Sequence, residues 1–128
     1  MPVRSLTSSV LKWPDSRTVT GALAAWAESA MRVRPEVRAI GYFGSYARGD
    51  WGVGSDLDVI ILVAYEDQPF ARRAGRWDLT HLPVPVDVLV YSLDEWESLR
   101  GRGRFGLKLQ DETIWLYPPP HRSTPPPS

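Results

Sequence analysis

Two aspartates one residue apart, Asp56 and Asp58, open the aliphatic run DVIILVA in a chain of 128 residues. A segment so rich in β-branched and aliphatic side chains reads as a strand buried on both faces. Side chains two apart on a strand point the same way, so both carboxylates share one face. They repel each other unless a cation lies between them, and an oxygen-binding divalent ion is the natural partner. Magnesium suits the pair, because it is held by one or two carboxylates together with substrate phosphates. Upstream, Gly44-Ser45 follows the apolar stretch ending in Tyr42-Phe43 and leads into Tyr46-Ala47-Arg48, which has helical preferences. A strand that turns through glycine into a helix start leaves backbone N–H groups for an anion, and glycine lets a phosphate approach closely. Phosphate cradle and metal site side by side describe the chemistry of a nucleoside triphosphate. Gly44 and Ser45 would hold its β and γ phosphates. Arg48 is either a surface arginine or the cation that neutralises the triphosphate.

Each piece alone has an ordinary explanation. An Asp-x-Asp at a strand start is often a solvated loop end, and Gly-Ser is routine turn punctuation. Asp87 shifts the balance, because an aspartate inside VPVDVLVY is costly to bury without a partner.

The spacing Gly-Ser, ten residues, Asp-x-Asp resembles the nucleotidyltransferase superfamily that includes DNA polymerase beta and the aminoglycoside nucleotidyltransferases. Over residues 37–91 the chain is most similar to the small bacterial and archaeal members, the minimal nucleotidyltransferases. Gly44, Ser45, Ala47, Arg48, Gly49, Ser55, Asp56 and Asp58 fall where those proteins carry such residues. The resemblance implies a palm-like domain, ATP as substrate, one or two magnesium ions, and Ser55 in the nucleotide site. It also implies Asp87 as the third carboxylate, as metal ligand, general base or both. Small members of this group are often encoded with a helical ribonuclease toxin of the HEPN class and neutralise it by transferring AMP to one of its tyrosines. The resemblance therefore implies a hetero-oligomeric antitoxin enzyme. The alternatives are a small-molecule transferase like the aminoglycoside enzymes, and a non-catalytic antitoxin acting by contact.

The rest of the chain has to position these groups. Fifteen basic and fifteen acidic side chains cancel, which disfavours sequence-independent nucleic-acid binding and a polymerase acting on a duplex. No cysteine is present, fitting a reducing cytoplasm, and no apolar run is long enough to span a bilayer. Residues 1–14 read as a loosely ordered arm, 15–117 as one domain, and 118–128, rich in proline, as a disordered tail. Leu23, Trp26, Ala27 and Ala30 repeat at helical spacing after a capping threonine at 18 or 20, and Pro35 ends that helix. Residues 37–43 form a strand, 66–81 a helix with Arg72, Arg73 and Arg76 on a solvated face, and 83–91 a buried strand. Proline at the start of that last strand also allows an edge position. Ser92 caps a helix over 93–100, a shorter helical segment lies around 105–110, and 113–117 is a final strand. His81 reads as structural or solvent-exposed, and Trp51 either packs on the surface or stacks on a base. The fold expected is α/β (α+β), a mixed sheet of about four strands with helices mainly on one face.

Overall fold

A computed structural model describes residues 13–100 and 103–120 of the chain. Residues 1–12 of the expected arm and 121–128 of the expected tail lie outside the described residues. Helix α1 spans Ser16–Val33, and its cap is Asp15, whose Oδ1 accepts the Thr18 N–H at 2.8 Å. The helix therefore starts ahead of the threonines expected to cap it. Val19, Leu23 and Ala27, four residues apart, form its buried stripe.

The chain continues through β1 (Val37–Phe43), α2 (Ser45–Arg48), β2 (Leu57–Val63) and α3 (Phe70–Arg73), which runs into a 3-10 turn at Ala74–Arg76. There follow β3 (Val86–Ser92), α4 (Leu93–Arg100), α5 (Gly103–Glu112) and β4 (Ile114–Tyr117). The sheet order is β3-β2-β1-β4. β1 is antiparallel to β2 and to β4, whereas β2 and β3 run parallel, so the sheet is mixed as expected.

Helices cover both faces of that sheet rather than mainly one, because β2 is apolar on both sides. Leu57, Val59, Ile61 and Val63 join Val19, Leu23 and Ala27 of α1 in one core, while Ile60 and Leu62 meet Trp96 of α4 and Leu109 of α5 in another. A strand buried on both faces needs a layer against each. Trp96 and Trp115 pack edge to face at 5.6 Å in the second core, and Gly106 lies so close to the Leu99 carbonyl that a side chain there would drive α5 off α4.

Ser92 and Glu95 form a reciprocal cap for α4: the Glu95 N–H donates to Ser92 Oγ at 3.1 Å and the Ser92 N–H to Glu95 Oε1 at 2.8 Å. Other expectations are corrected. The helix over 66–81 is confined to Phe70–Arg73, after Pro69, and the 3-10 turn at Ala74–Arg76 that contains Gly75. Arg73 is buried, not on a solvated face. β3 is an edge strand, as the proline allowed, and Asp87 on it is exposed to water rather than buried. No described helix is long and apolar enough to cross a membrane.

Candidate active site

The pairing of β2 with its neighbours sets the site. Asp58 lies opposite Phe43 across the antiparallel pair and opposite Asp87 across the parallel pair. The turn at Gly44 is therefore on one side of Asp58 and the β3 carboxylate on the other. Gly44 has φ +78° and ψ −152°, a backbone state that glycine tolerates, and a Cβ there would collide with the Asp58 carboxylate. Glycine is thus required twice: for the turn, and for Asp58 to lie against the backbone. The loop that delivers Asp56 is closed by Ser55, whose Oγ accepts the Gly52 N–H at 2.8 Å while its own N–H donates to the Gly52 carbonyl at 2.9 Å.

Two cavities meet here. One, of about 420 Å³, is lined by Gly44, Ser45, Arg48, Asp56 and Asp58 together with residues of α5. The other, of about 950 Å³, runs along β3 and is lined by Asp58, Asp87 and mainly apolar side chains, with Leu79, Leu82, Pro83 and Pro85 among them. Phe43, Asp58 and Phe105 border both. Of the residues expected from sequence, five therefore share the first cavity and Asp87 adjoins it through Asp58. Ser55 lines neither, and acts on the loop instead. His81 is exposed, and Trp51 stacks on Tyr46 with ring centres 5.5 Å apart.

The carboxylates are crowded. Burial first, then the charges of Asp87 and Asp56, push the Asp58 carboxyl up from 3.8 to about 6; Glu112 adds to this and Arg48 opposes it. Among the described residues no three His, Cys, Asp or Glu side chains are arranged to hold a metal ion by themselves. The donor set nevertheless fits magnesium, which prefers hard oxygen ligands and is completed by substrate phosphates, and whose charge would relieve the repulsion at Asp58.

Sequence reasoning missed what α5 brings: Phe105, Lys108, Leu109 and Glu112 all line the first cavity. Glu112 Oε2 accepts the Gly44 N–H at 2.7 Å, and Arg48 Nη1 lies 3.3 Å from both Glu112 oxygens. A faint signal existed. Asp111 and Glu112 end a helix without a basic residue in its last turn, against the helix dipole, which is a placement that asks for a partner elsewhere.

The nucleotidyltransferase domain model matches residues 26–110, which include every one of these positions except Glu112. Among solved structures, a Sulfolobus solfataricus protein put forward as a nucleotidyltransferase is 20% identical with a TM-score of 0.53, over 65% of this chain and 75% of its own. A toxin–antitoxin structure with AMP-PNP is 17% identical with a TM-score of 0.44, over 81% of this chain and 73% of that one. A mutant of the toxin–antitoxin pair MntA-HpeT gives 22% and 0.46, over 70% and 66%. No curated protein matches the chain. A match over most of the domain, with the aspartates and the glycine turn inside it, means that the chain belongs to the nucleotidyltransferase domain family and is a nucleotidyltransferase.

Proposed function

We propose that the protein moves AMP from ATP to a hydroxyl acceptor, and that the acceptor is a tyrosine of a cognate helical toxin of the HEPN class. The observation that carries the transfer is the position of Asp58 between two cavities, one suited to the triphosphate and one to the acceptor. On the donor side, Gly44, Ser45 and Arg48 hold the phosphates, and Asp56 and Asp58 are the residues that would hold magnesium. When bound, magnesium supplies charge neutralisation at the triphosphate and at the departing pyrophosphate. On the acceptor side, the groove along β3 offers apolar and proline side chains that suit an aromatic ring. Asp87, exposed in the groove and opposite Asp58 in the register of β2 and β3, receives the hydroxyl proton. The hydroxyl oxygen bonds to the α-phosphorus, the bond from that phosphorus to the β-phosphate oxygen breaks, and pyrophosphate leaves. The groove is open along a sheet edge, which suits a side chain presented by another protein better than a small acceptor that needs enclosing walls.

The test is co-expression of the partner with wild type and with the Asp56→Asn/Asp58→Asn double variant. Wild type should protect cells and leave an added AMP mass on a partner tyrosine, and the double variant should do neither. Equal protection by both, with no added mass, would replace the enzyme reading by inhibition through contact. The two sides of the site also separate kinetically. Asp87→Ala should lower turnover about a hundredfold or more, the scale of a lost general base, while ATP still binds. Turnover unchanged at saturating ATP would remove Asp87 from the reaction.

A further inference from the structure

The two groups placed on the phosphate side, the Gly44 N–H and the Arg48 guanidinium, already share one anion, the carboxylate of Glu112. That carboxylate is not a loose surface group: its side chain is only 12% exposed, and it reaches in from the last residue of α5. A carboxylate oxygen 2.7 Å from a backbone N–H occupies the place that a phosphate oxygen would take on the same donor. The two cannot be accommodated together, and their negative charges would repel if they were close.

We infer that Glu112 is a built-in competitor of the nucleotide: its carboxylate fills the phosphate cradle at Gly44 and Arg48 until a triphosphate displaces it. This rests on the reading of Gly44, Ser45 and Arg48 as the phosphate side and adds a residue that sets how tightly that side binds. The arrangement keeps the cradle charge-balanced when no substrate is present. It penalises ligands that place a β or γ phosphate at Gly44 and Arg48, and leaves a monophosphate, which has neither, without that cost. Glu112 thus sets how tightly the donor triphosphate is held, without contributing to bond making.

The experiment is calorimetric titration of wild type and Glu112→Gln with sodium tripolyphosphate, ATP and AMP at one fixed ionic strength, together with melting of the unliganded proteins. Glu112→Gln should bind tripolyphosphate and ATP about tenfold more tightly than wild type, the scale of one charge contact near a surface. Its affinity for AMP, which has no β or γ phosphate to place in the cradle, should change little, so the preference for ATP over AMP should widen, and it should melt at a lower temperature. A residue that merely supports the fold would give looser melting together with weaker binding, so the opposite signs are diagnostic. Glu112→Asp, which keeps the charge but shortens the reach, should lie between the two proteins and serves if the glutamine variant folds poorly. Equal or weaker binding by the variants overturns the competitor role alone, leaving the phosphate reading intact. Failure of wild type and variants alike to bind tripolyphosphate or ATP overturns both.

Discussion

Two of the arginine–glutamate pairs of this small domain, Arg73–Glu95 and Arg48–Glu112, are built differently. Arg73 is almost wholly buried, donates to both oxygens of Glu95 at 2.7 and 2.9 Å, and donates also to the carbonyls of Val90 at 3.0 Å and Gln68 at 2.8 Å. Glu95 in turn accepts the Ser92 N–H that begins α4. Four of the five Arg73 N–H groups have a fixed acceptor, and the pair ties the crossover segment to β3 and α4. Arg48 instead keeps 43% of its side chain exposed, divides itself between Asp50 at 3.0 Å and Glu112 at 3.3 Å, and faces a cavity. The first arrangement has no slack for a ligand to use. The second holds its charges at distances and exposures from which they can be drawn away, which is what a binding site requires and a structural brace avoids.

The largest effect that sharpens the contrast is on stability. Arg73→Ala leaves the buried Val90 carbonyl, the half-buried Gln68 carbonyl and the half-exposed Glu95 carboxylate without this donor, and should cost about 3 kcal/mol in a denaturant titration. Arg73→Lys should recover only part of it, since an ammonium cannot make two parallel bonds to one carboxylate. Nucleotide affinity of the folded fraction should be unaffected. A cost near zero would mean that the buried pair is no brace.

Arg48→Ala should show the reverse. Its melting temperature should fall no further than that of Glu112→Gln, because the side chain is exposed and screened, while ATP affinity falls about tenfold. If melting drops and affinity holds, the two pairs do the same work and the contrast fails.

The same contrast explains what could be read from the sequence. The donor motif was legible because its parts are local: a glycine turn, ten residues and two aspartates at strand spacing lie within one supersecondary unit. So were β1, β2 and the Ser92 cap, each signalled by its own residues. The glutamate partners of Arg73 and Arg48 are 22 and 64 residues away, and only sheet order and helix packing bring them in. Arg73 was misjudged because its neighbours Arg72 and Arg76 suggested one solvated face, yet α3 is too short to have one. The exposure of Asp87 followed from β3 lying at an edge, which its prolines allowed but could not decide. Glu112 was missed because nothing near it in sequence resembles a phosphate site.

The smallest effect is a pH dependence in which the two regions pull in opposite directions. Hydrogen bonds from Arg73 hold the Glu95 carboxyl below its ordinary value of 4.5. The folded protein then releases that proton more readily than the unfolded chain, so this stabilisation is present above pH 4.5 and is lost as pH falls through the depressed folded value. Asp58 is the converse, because burial and then its acidic neighbours raise its folded value to about 6 from 3.8. Between those values the folded state binds a proton that the unfolded chain does not, so stability rises as pH falls from about 7 toward 4. Solvent at the mouth of an open cavity screens those charges, and the gain is discounted accordingly to about 1 kcal/mol. Stability measured in chelator should therefore increase on mild acidification, pass through a maximum between pH 4 and 5, and then fall. Asp58→Asn should remove the rise toward the maximum while leaving the acid fall, and should be more stable than wild type at pH 7. Magnesium should flatten the same limb, since it favours the ionised carboxylate. An acid fall without any preceding rise, in wild type free of metal, would mean that the carboxylates around Asp58 are not crowded and that a cation has no repulsion there to relieve.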